Sequence, residues 1–516
     1  MFHLFYENTI IKCKYSLLTF LQANITLNHC FTKLINYNLN ITNGFSNFTK
    51  EEEDMRKQKE KKMKKIILLL LFSTVMLSIF AGGAAEKETS DETNKVKTIT
   101  YTVRHDSSNE NVVSRMNMII DGFKQLEKED PKVHFEFNYL PKLEVNELAM
   151  QFHAGVEADF FFDEETATGS LVKGGIIQPV DWFATLPNVK DTLIPNVREL
   201  SIYDGHMYGV PIDMALGCLY ANKKILSKLG WSSEEIETWP KRVQNGEWTF
   251  EDMAKTCKKA IDMGLVKYGF MLDGVDNAGT FGIAKSLGIE MYDREQNKLI
   301  FDRNSWLEFY KFWEEAVHED MMIPKSLPNF EGTYNSFFKG DTLFFSDVSG
   351  YEYWRRNFDG DAEKEFPEYY EENFTQALIP SYRKGEPAQC AMKLRSMFVF
   401  SSVKGEKLDY LKKALNLSYL PENQVNNMLT MGKLSTIATT YDLQEIKDFK
   451  FASDTAYMTD YATIRSGHPD YNTKYSKYYR NQIEGVIVDN LSAIEAVDKL
   501  ESELRFNIDA DQIIFK

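Results

Sequence analysis

Seven carboxylate or imidazole side chains and two aromatic rings stand at positions where they could meet a ligand. His105 and Asp106 close the run "ITYTVRHD", and Asp163, Glu164 and Glu165 close "ADFFFDEE". Asp213 follows "YGVP", while Asp347, Tyr351 and Trp354 follow "TLFF". Ionised carboxylates accept strong hydrogen bonds from hydroxyls, and ring faces cover apolar C–H surfaces. A polyhydroxylated, sugar-like ligand presents both kinds of surface. An acidic cluster suits a cationic ligand equally, such as a polyamine or a basic peptide. The same residues also have a structural reading. Acids at strand ends cap the next helix or pair with a basic neighbour such as Arg104, Arg355 or Arg395, and rings such as Tyr353 pack in a core.

These positions depend on the elements that carry them. "KTITYTVRHD" reads as a strand rich in β-branched and aromatic residues. Val113, Met116, Ile120, Phe123 and Leu126 recur at helical spacing, with Pro131 as the stop. "KVHFEFNYLP" alternates as a second strand, "VNELAMQFHAG" is helical, and "ADFFFDE" is a buried strand. This order predicts β-α-β units and a mainly parallel sheet. Ligands in such sheets sit beyond the carboxyl ends of the strands. Asp204-Gly205 marks a hairpin-like turn before a long extended run, with a helix from Lys223. Thr249 can cap a helix over "WTFEDMAKTCKKAIDMG". "NSWLEFYKFWEEAVHE" and "EKLDYLKKALNLSYL" read as further helices. From Pro421 the sequence is polar, aromatic and helical, without a clear assignment.

The chain has 516 residues, 43% hydrophobic and 26% charged, so two or more domains are expected. The net charge is −16; the first 85 residues carry +5, leaving −21 for the remainder. That balance argues against nucleic acid as a partner, since phosphate backbones need basic surfaces. The basic stretch "KEKKMKK", the apolar run Ile66–Phe80 and the small residues after it have the layout of a secretory signal over 63–81, with cleavage after Ala81. A membrane anchor is the competing reading, although the run is shorter than the roughly 20 residues that span a bilayer. No Cys near the cleavage point offers a site for a lipid anchor. Thirty-three of the first 50 residues are Phe, Ile, Asn, Lys, Leu or Tyr. Residues 1–62 are therefore read as translated upstream sequence, with Met63 or Met55 as initiator and 82–96 as a linker.

Cys218, Cys257 and Cys390 are far apart, and no CxxC occurs, so neither a zinc site nor a disulfide framework is indicated. His105, His134, His153, His206, His318 and His468 are scattered. GxSxG, HExxH and P-loop motifs are missing. No cofactor, metal or catalytic residue is expected. A secreted glycosidase remains the enzymatic alternative, because it needs only two suitably spaced carboxylates.

The order of segments resembles the extracellular solute-binding proteins of ABC importers, the class that includes maltose-binding and other sugar-binding proteins. The matching pieces are "ITYTVRHD", "AMQFHAGVEADFFFDEE", "LVKGGIIQPVDWF", "YDGHMYGVPID", "LYANKKIL", "WTFEDMAKTCKKA", "FFKGDTLFFSDVSG", "ALIPSYRKGEP" and "MFVFSSVKGEKLDYLKKAL", spread over residues 97–420. Ala221 stands where the family's "YYNK" signature has its second Tyr, the lipobox Cys is absent, and little matches after residue 420. The resemblance implies a two-lobed α/β fold, each lobe a mainly parallel sheet flanked by helices, with a hinge between them. Residues 97–213 and 391–430 would form the first lobe, and 214–390 and 431–516 the second. The crossings would fall in Ile212–Cys218 and near Glu386–Lys393. Asp106 and Glu164 match positions that approach the ligand in the family. The implied activity is capture of a small solute, most simply a sugar, by a monomer that docks on an ABC permease.

Overall fold

Alternation in KTITYTVR produces strand β1, Lys97–Arg104, which buries Tyr101 and Val103. The computed structural model describes residues 96–156, 158–272, 278–318, 335–347 and 366–516. Helix α1, Glu110–Glu129, follows β1 and turns Met116, Ile119, Phe123 and Leu126 into the core. It ends two residues before Pro131, as a residue preceding proline disfavours helix. Strand β2, Val133–Leu140, pairs in parallel with β1 along its whole length. Helix α2, Val145–His153, leads to β3, Phe160–Glu164, which lies parallel to β1 on the other edge. The core beneath α1 is built of rings: Phe123 sits 4.9 Å from Tyr101 and 4.8 Å from Phe135.

Helix α3, Thr168–Lys173, comes after β3. The hairpin of β4, Ile202–Tyr203, and β5, His206–Met207, turns through Asp204 and Gly205. Both residues have positive φ, 48° and 79°, which is why Asp-Gly suits a two-residue hairpin loop. Strand β6, Gly209–Asn222, is buried along all fourteen residues.

Strand β7, Tyr268–Leu272, is followed by helix α4, Ala278–Ser286, the short strands β8, Tyr292–Asp293, and β9, Lys298–Phe301, and helix α5, Arg303–His318. Strands β10, Thr342–Asp347, β11, Phe374–Ala377, and β12, Cys390–Val399, complete this part. Ahead of β7, the helix Phe250–Asp262 begins at Thr249. There the Asp252 carboxylate accepts the Thr249 N–H and hydroxyl at 3.0 and 3.2 Å.

The main sheet runs β2-β1-β3-β12-β6-β10-β7. Along this path the parallel pairs lie outside, β1 with β2 and β3, and β7 with β10. Every antiparallel pair in this sheet involves β6 or β12. Those two strands make the fold two-lobed. From Gly209 to Gly217, β6 pairs with β12 beside the first lobe's strands; from Cys218 to Asn222 it pairs with β10 and β11 of the second. The crossing thus falls between Gly217 and Cys218. The chain returns after the Ile379–Gln389 bridge, as β12 starts at Cys390.

The region after Pro421 shuttles between the two sides. Helix α6, Gly405–Ser418, and helix α7, Pro421–Met431, pack on α1. Strand β13, Leu434–Ser435, pairs with Met214 and Asp213 of β6. Strand β14, Ala462–Ile464, runs parallel to the first residues of β12, Cys390–Met392, and forms a third strand at the crossing. The segment after it presses close to α3: a Cβ on Gly169 would stand 2.1 Å from the Gly467 carbonyl oxygen. Helices α8, Ser476–Asp489, and α9, Ala493–Asn507, then pack on α5. Strand β15, Ile513–Phe515, closes the chain against β9.

Candidate functional site

Alternation along β12 sends Lys393 and Arg395 to one face of the sheet and Leu394 and Ser396 to the other. A cavity lies on each face. The first, about 200 Å³, is lined by Asp106, Asn109, Val112, Arg115, Lys142, Phe162, Asp213, Ala215, Lys393, Arg395 and Lys433. It sits beyond the carboxyl ends of β1 and β2, where parallel α/β sheets hold ligands. The second, about 280 Å³, is lined by Leu394 and Ser396 together with Glu165, Thr168, Tyr203, Phe281, Tyr292, Arg465 and their neighbours.

The acids named from the sequence divide between these faces. Asp106 lines the first cavity and accepts both the Ser108 N–H and its hydroxyl, at 3.0 and 2.6 Å. Those two hydrogen bonds hold its carboxyl below the usual range. His105 packs on Tyr139, with ring centroids 5.2 Å apart, and burial lowers its pKa. Its Nδ1 is buried and has no hydrogen-bond partner among the described residues.

Asp213 is 1% exposed. The Arg115 guanidinium grips it at 2.5 and 3.1 Å, and Asn427 Nδ2 donates to it at 3.1 Å. This pair pins α1 to the first residues of β6. Asp163 accepts the Glu164 N–H at 2.9 Å and faces Lys142 Nζ at 3.7 Å. Burial raises its pKa, with Lys142 opposing.

Glu164 receives Arg395 at 2.7 Å and also Arg465. Burial alone would raise its pKa, but the two guanidiniums outweigh burial and hold the carboxyl well below its ordinary value. Glu165 points to the second cavity, where it accepts the Leu394 N–H at 3.0 Å and Arg465 at 3.3 Å. Its pKa is raised by burial, against the pull of Arg465. Asp347 is fully buried at the end of β10, and its backbone carbonyl accepts the Cys218 thiol at 3.8 Å. Tyr351 and Trp354 lie outside the described residues.

The cations that meet these acids were largely missed by sequence reasoning. Arg395 is the exception, one of the basic neighbours read from the sequence, and it pairs with Glu164. Arg104 instead donates to the Pro141 carbonyl and to Gln151. Arg115, Lys142, Lys393, Lys433 and Arg465 carry no motif. The one available signal was the alternation K-x-R in "CAMKLRSM", which puts two cations on one face of a returning strand. Lys433 is 5% exposed. Burial, then the Arg115 charge, pulls its pKa down to about 7, and the carboxylates of Asp213 and Asp347 only partly restore it.

Among the described residues no group of three or more His, Cys, Asp or Glu is placed to hold a metal ion. Cys218, Cys257 and Cys390 are buried and outside any disulfide, and burial pushes the Cys218 thiol up to about 12. A protonated, buried thiol is a poor nucleophile. No helix among the described residues is long and apolar enough to cross a membrane. The geometry provides charged donors, a ring floor at Phe162 and a strand crossing, which together suit reversible binding.

Strands β6 and β12 run through both sides of the sheet, and the arrangement has the fold of the two-lobed periplasmic binding proteins. The chain belongs to the bacterial extracellular solute-binding protein family, whose profile matches residues 109–369, about half of its length. It is 26% identical over 187 residues to the maltotriose-binding protein of Pyrococcus abyssi, covering 36% of this chain and 37% of that protein. It is 24% identical over 192 residues to the arabinooligosaccharide-binding protein of Halalkalibacterium halodurans, covering 37% and 40%. The matched segment thus spans well under half the length of either relative. Among solved structures, the GacH receptor of Streptomyces glaucescens, studied unliganded and with acarbose, is similar at a TM-score of 0.62 and 18% identity, over 80% of this chain and 98% of that one. The sugar-binding protein MalE from Xanthomonas citri gives 0.63 and 17%, over 79% and 96%. At such identities the structural likeness speaks for the fold.

Proposed function

We propose that this chain captures a saccharide outside the cytoplasm, in the cleft between its lobes, and delivers it to an ABC permease. The observation that carries the reading is the polar cavity of Asp106, Lys142, Asp213 and Lys393 on the first-lobe side of β6 and β12, where a closing second lobe would cover it. Relatives named for maltotriose and arabino-oligosaccharides support a sugar as the ligand. The lobe bounds read from the sequence, 97–213 with 391–430 and 214–390 with 431–516, are kept as the proposal, with the change of lobe falling four residues before β6 changes partners at Gly217–Cys218. Tyr351 and Trp354, which follow β10 in the sequence, are taken as the ring-bearing ligand contacts. Residues 63–81 act as the signal segment, and the mature protein works as a monomer.

The mechanism is a population shift. Open and closed arrangements exchange, the closed one binds ligand more tightly, and the permease accepts the closed form. No bond in the ligand is made or broken. A ligand that binds only the folded state raises the melting temperature, so a thermal-shift screen across saccharides, polyamines and peptides tests the reading. Stabilisation by saccharides, which are then recovered without new reducing ends, is the expected result. Stabilisation by polyamines or peptides alone, or sustained release of reducing ends, would refute it.

A further inference from the structure

The cavity on the Lys393 face is cationic within an acidic protein. Its lining holds four cations, Arg115, Lys142, Lys393 and Arg395, together with Lys433, against two carboxylates, Asp106 and Asp213. Residues 86–516 as a whole, this lining included, carry −21. Such a local reversal of sign focuses anions toward the cavity.

The carboxylates around it are already engaged. Asp213 is held by Arg115 and Asn427. Glu164 is held by Arg395 and Arg465. Asp163 faces Lys142, and Asp106 takes both groups of Ser108. Two donors, Lys142 and Lys393, are less occupied. Lys142 stands 3.7 Å from its carboxylate, beyond hydrogen-bond range. Lys393 makes no hydrogen bond among the described residues, although it lies half-buried on the lining and near enough to Glu164 to act on its charge. A neutral sugar offers these ammoniums only hydroxyls, and a polyamine meets like charge. A carboxylate satisfies them by charge-assisted bonds.

We propose that the saccharide taken by this cleft carries a carboxylate, as a uronic-acid unit does, and that Lys142 and Lys393 receive it. This rests on the saccharide reading above and names its class.

The test uses the full chain and three matched probe sets: uronic-acid oligosaccharides of the galacturonate, glucuronate and mannuronate series, their methyl esters, and the neutral hexose counterparts. Thermal shift finds the binder, and calorimetry at fixed ionic strength measures it. The acid form of at least one series should bind about tenfold or more tightly than its ester and its neutral counterpart. Lys393→Met and Lys142→Met keep the apolar stem and should abolish that preference while leaving the unliganded melting temperature within a degree or two. Lys393→Arg should retain the preference, separating charge from packing. Equal binding of acid, ester and neutral sugar would overturn this inference and leave the saccharide reading intact. Stabilisation by none of the three sets, and by no other saccharide of the wider screen, would overturn both.

Discussion

The guanidinium of Arg465, just past β14, rests on the carboxylate of Glu164, the last residue of β3. Arg395 of β12 takes the other oxygen of the same carboxylate at 2.7 Å. Two cations carried on or just beyond crossing strands therefore hold one acid of the first lobe, and Arg465 also reaches Glu165. An acid expected at the ligand is also a fastening point of the crossing itself.

Removing Arg465 should be costly. Arg465→Met leaves Glu165, which is 5% exposed, without its cation and Glu164 with one. Breaking a buried pair by deleting one partner costs about 3–5 kcal/mol, so denaturant unfolding should show a loss of that order. Arg465→Lys should recover only part, since an ammonium cannot span two carboxylates as a guanidinium does. A loss under about 1 kcal/mol for the methionine variant would show that water, rather than protein, solvates these acids.

Arg115 and Asp213 form a second buried pair, with 5% and 1% of their side chains exposed. Arg115→Met should destabilise by about 3 kcal/mol or more, and Asp213→Leu by a similar amount. The double variant should be markedly less destabilised than the sum of the two, because neither charge is then stranded. Simple additivity in this cycle would mean that the pair does not interact.

Lys433 gives a pH signature. Its pKa lies at about 7 in the folded protein, against about 10.4 in an unfolded chain. Between these values the unfolded state binds a proton that the folded state does not, so stability rises with pH across this window and levels off on either side. The facing charges are Arg115, Arg395, Asp213 and Asp347. The melting-temperature difference between the wild type and Lys433→Met should shift in favour of the wild type from pH 7 to pH 9.5. A pH-independent difference would place a charged lysine in the folded state throughout.

Trp354→Ala should weaken saccharide binding by more than tenfold, with the unliganded melting temperature little changed. That magnitude corresponds to losing about 1.4 kcal/mol or more of ring contact. An unaltered affinity would remove Trp354 from the site.

The first lobe was legible because its signals are local. Alternation gave β1 and β2, helical spacing gave α1, and Asp204-Gly205 gave the hairpin turn. The crossing of β6 was placed by resemblance, since an all-buried strand has no alternation to read. What the residues after 420 do was not legible. The three-residue strand β14 is too short for a periodic signal, and its pairing with β12 joins positions more than 70 residues apart. The same holds for the site. The acids stood at strand ends and could be named, whereas Arg465, Lys433 and Arg115 come to those acids from distant elements, and no spacing in the chain announces that convergence.

The central claim is that two halves close reversibly on a saccharide and release it unaltered. Small-angle X-ray scattering of the mature protein, with and without a saturating saccharide found by thermal shift, tests it most directly when the ligand is analysed afterwards. The account predicts a smaller radius of gyration in the bound form and a ligand recovered intact. An unchanged radius at full occupancy, or a cleaved ligand, would contradict it.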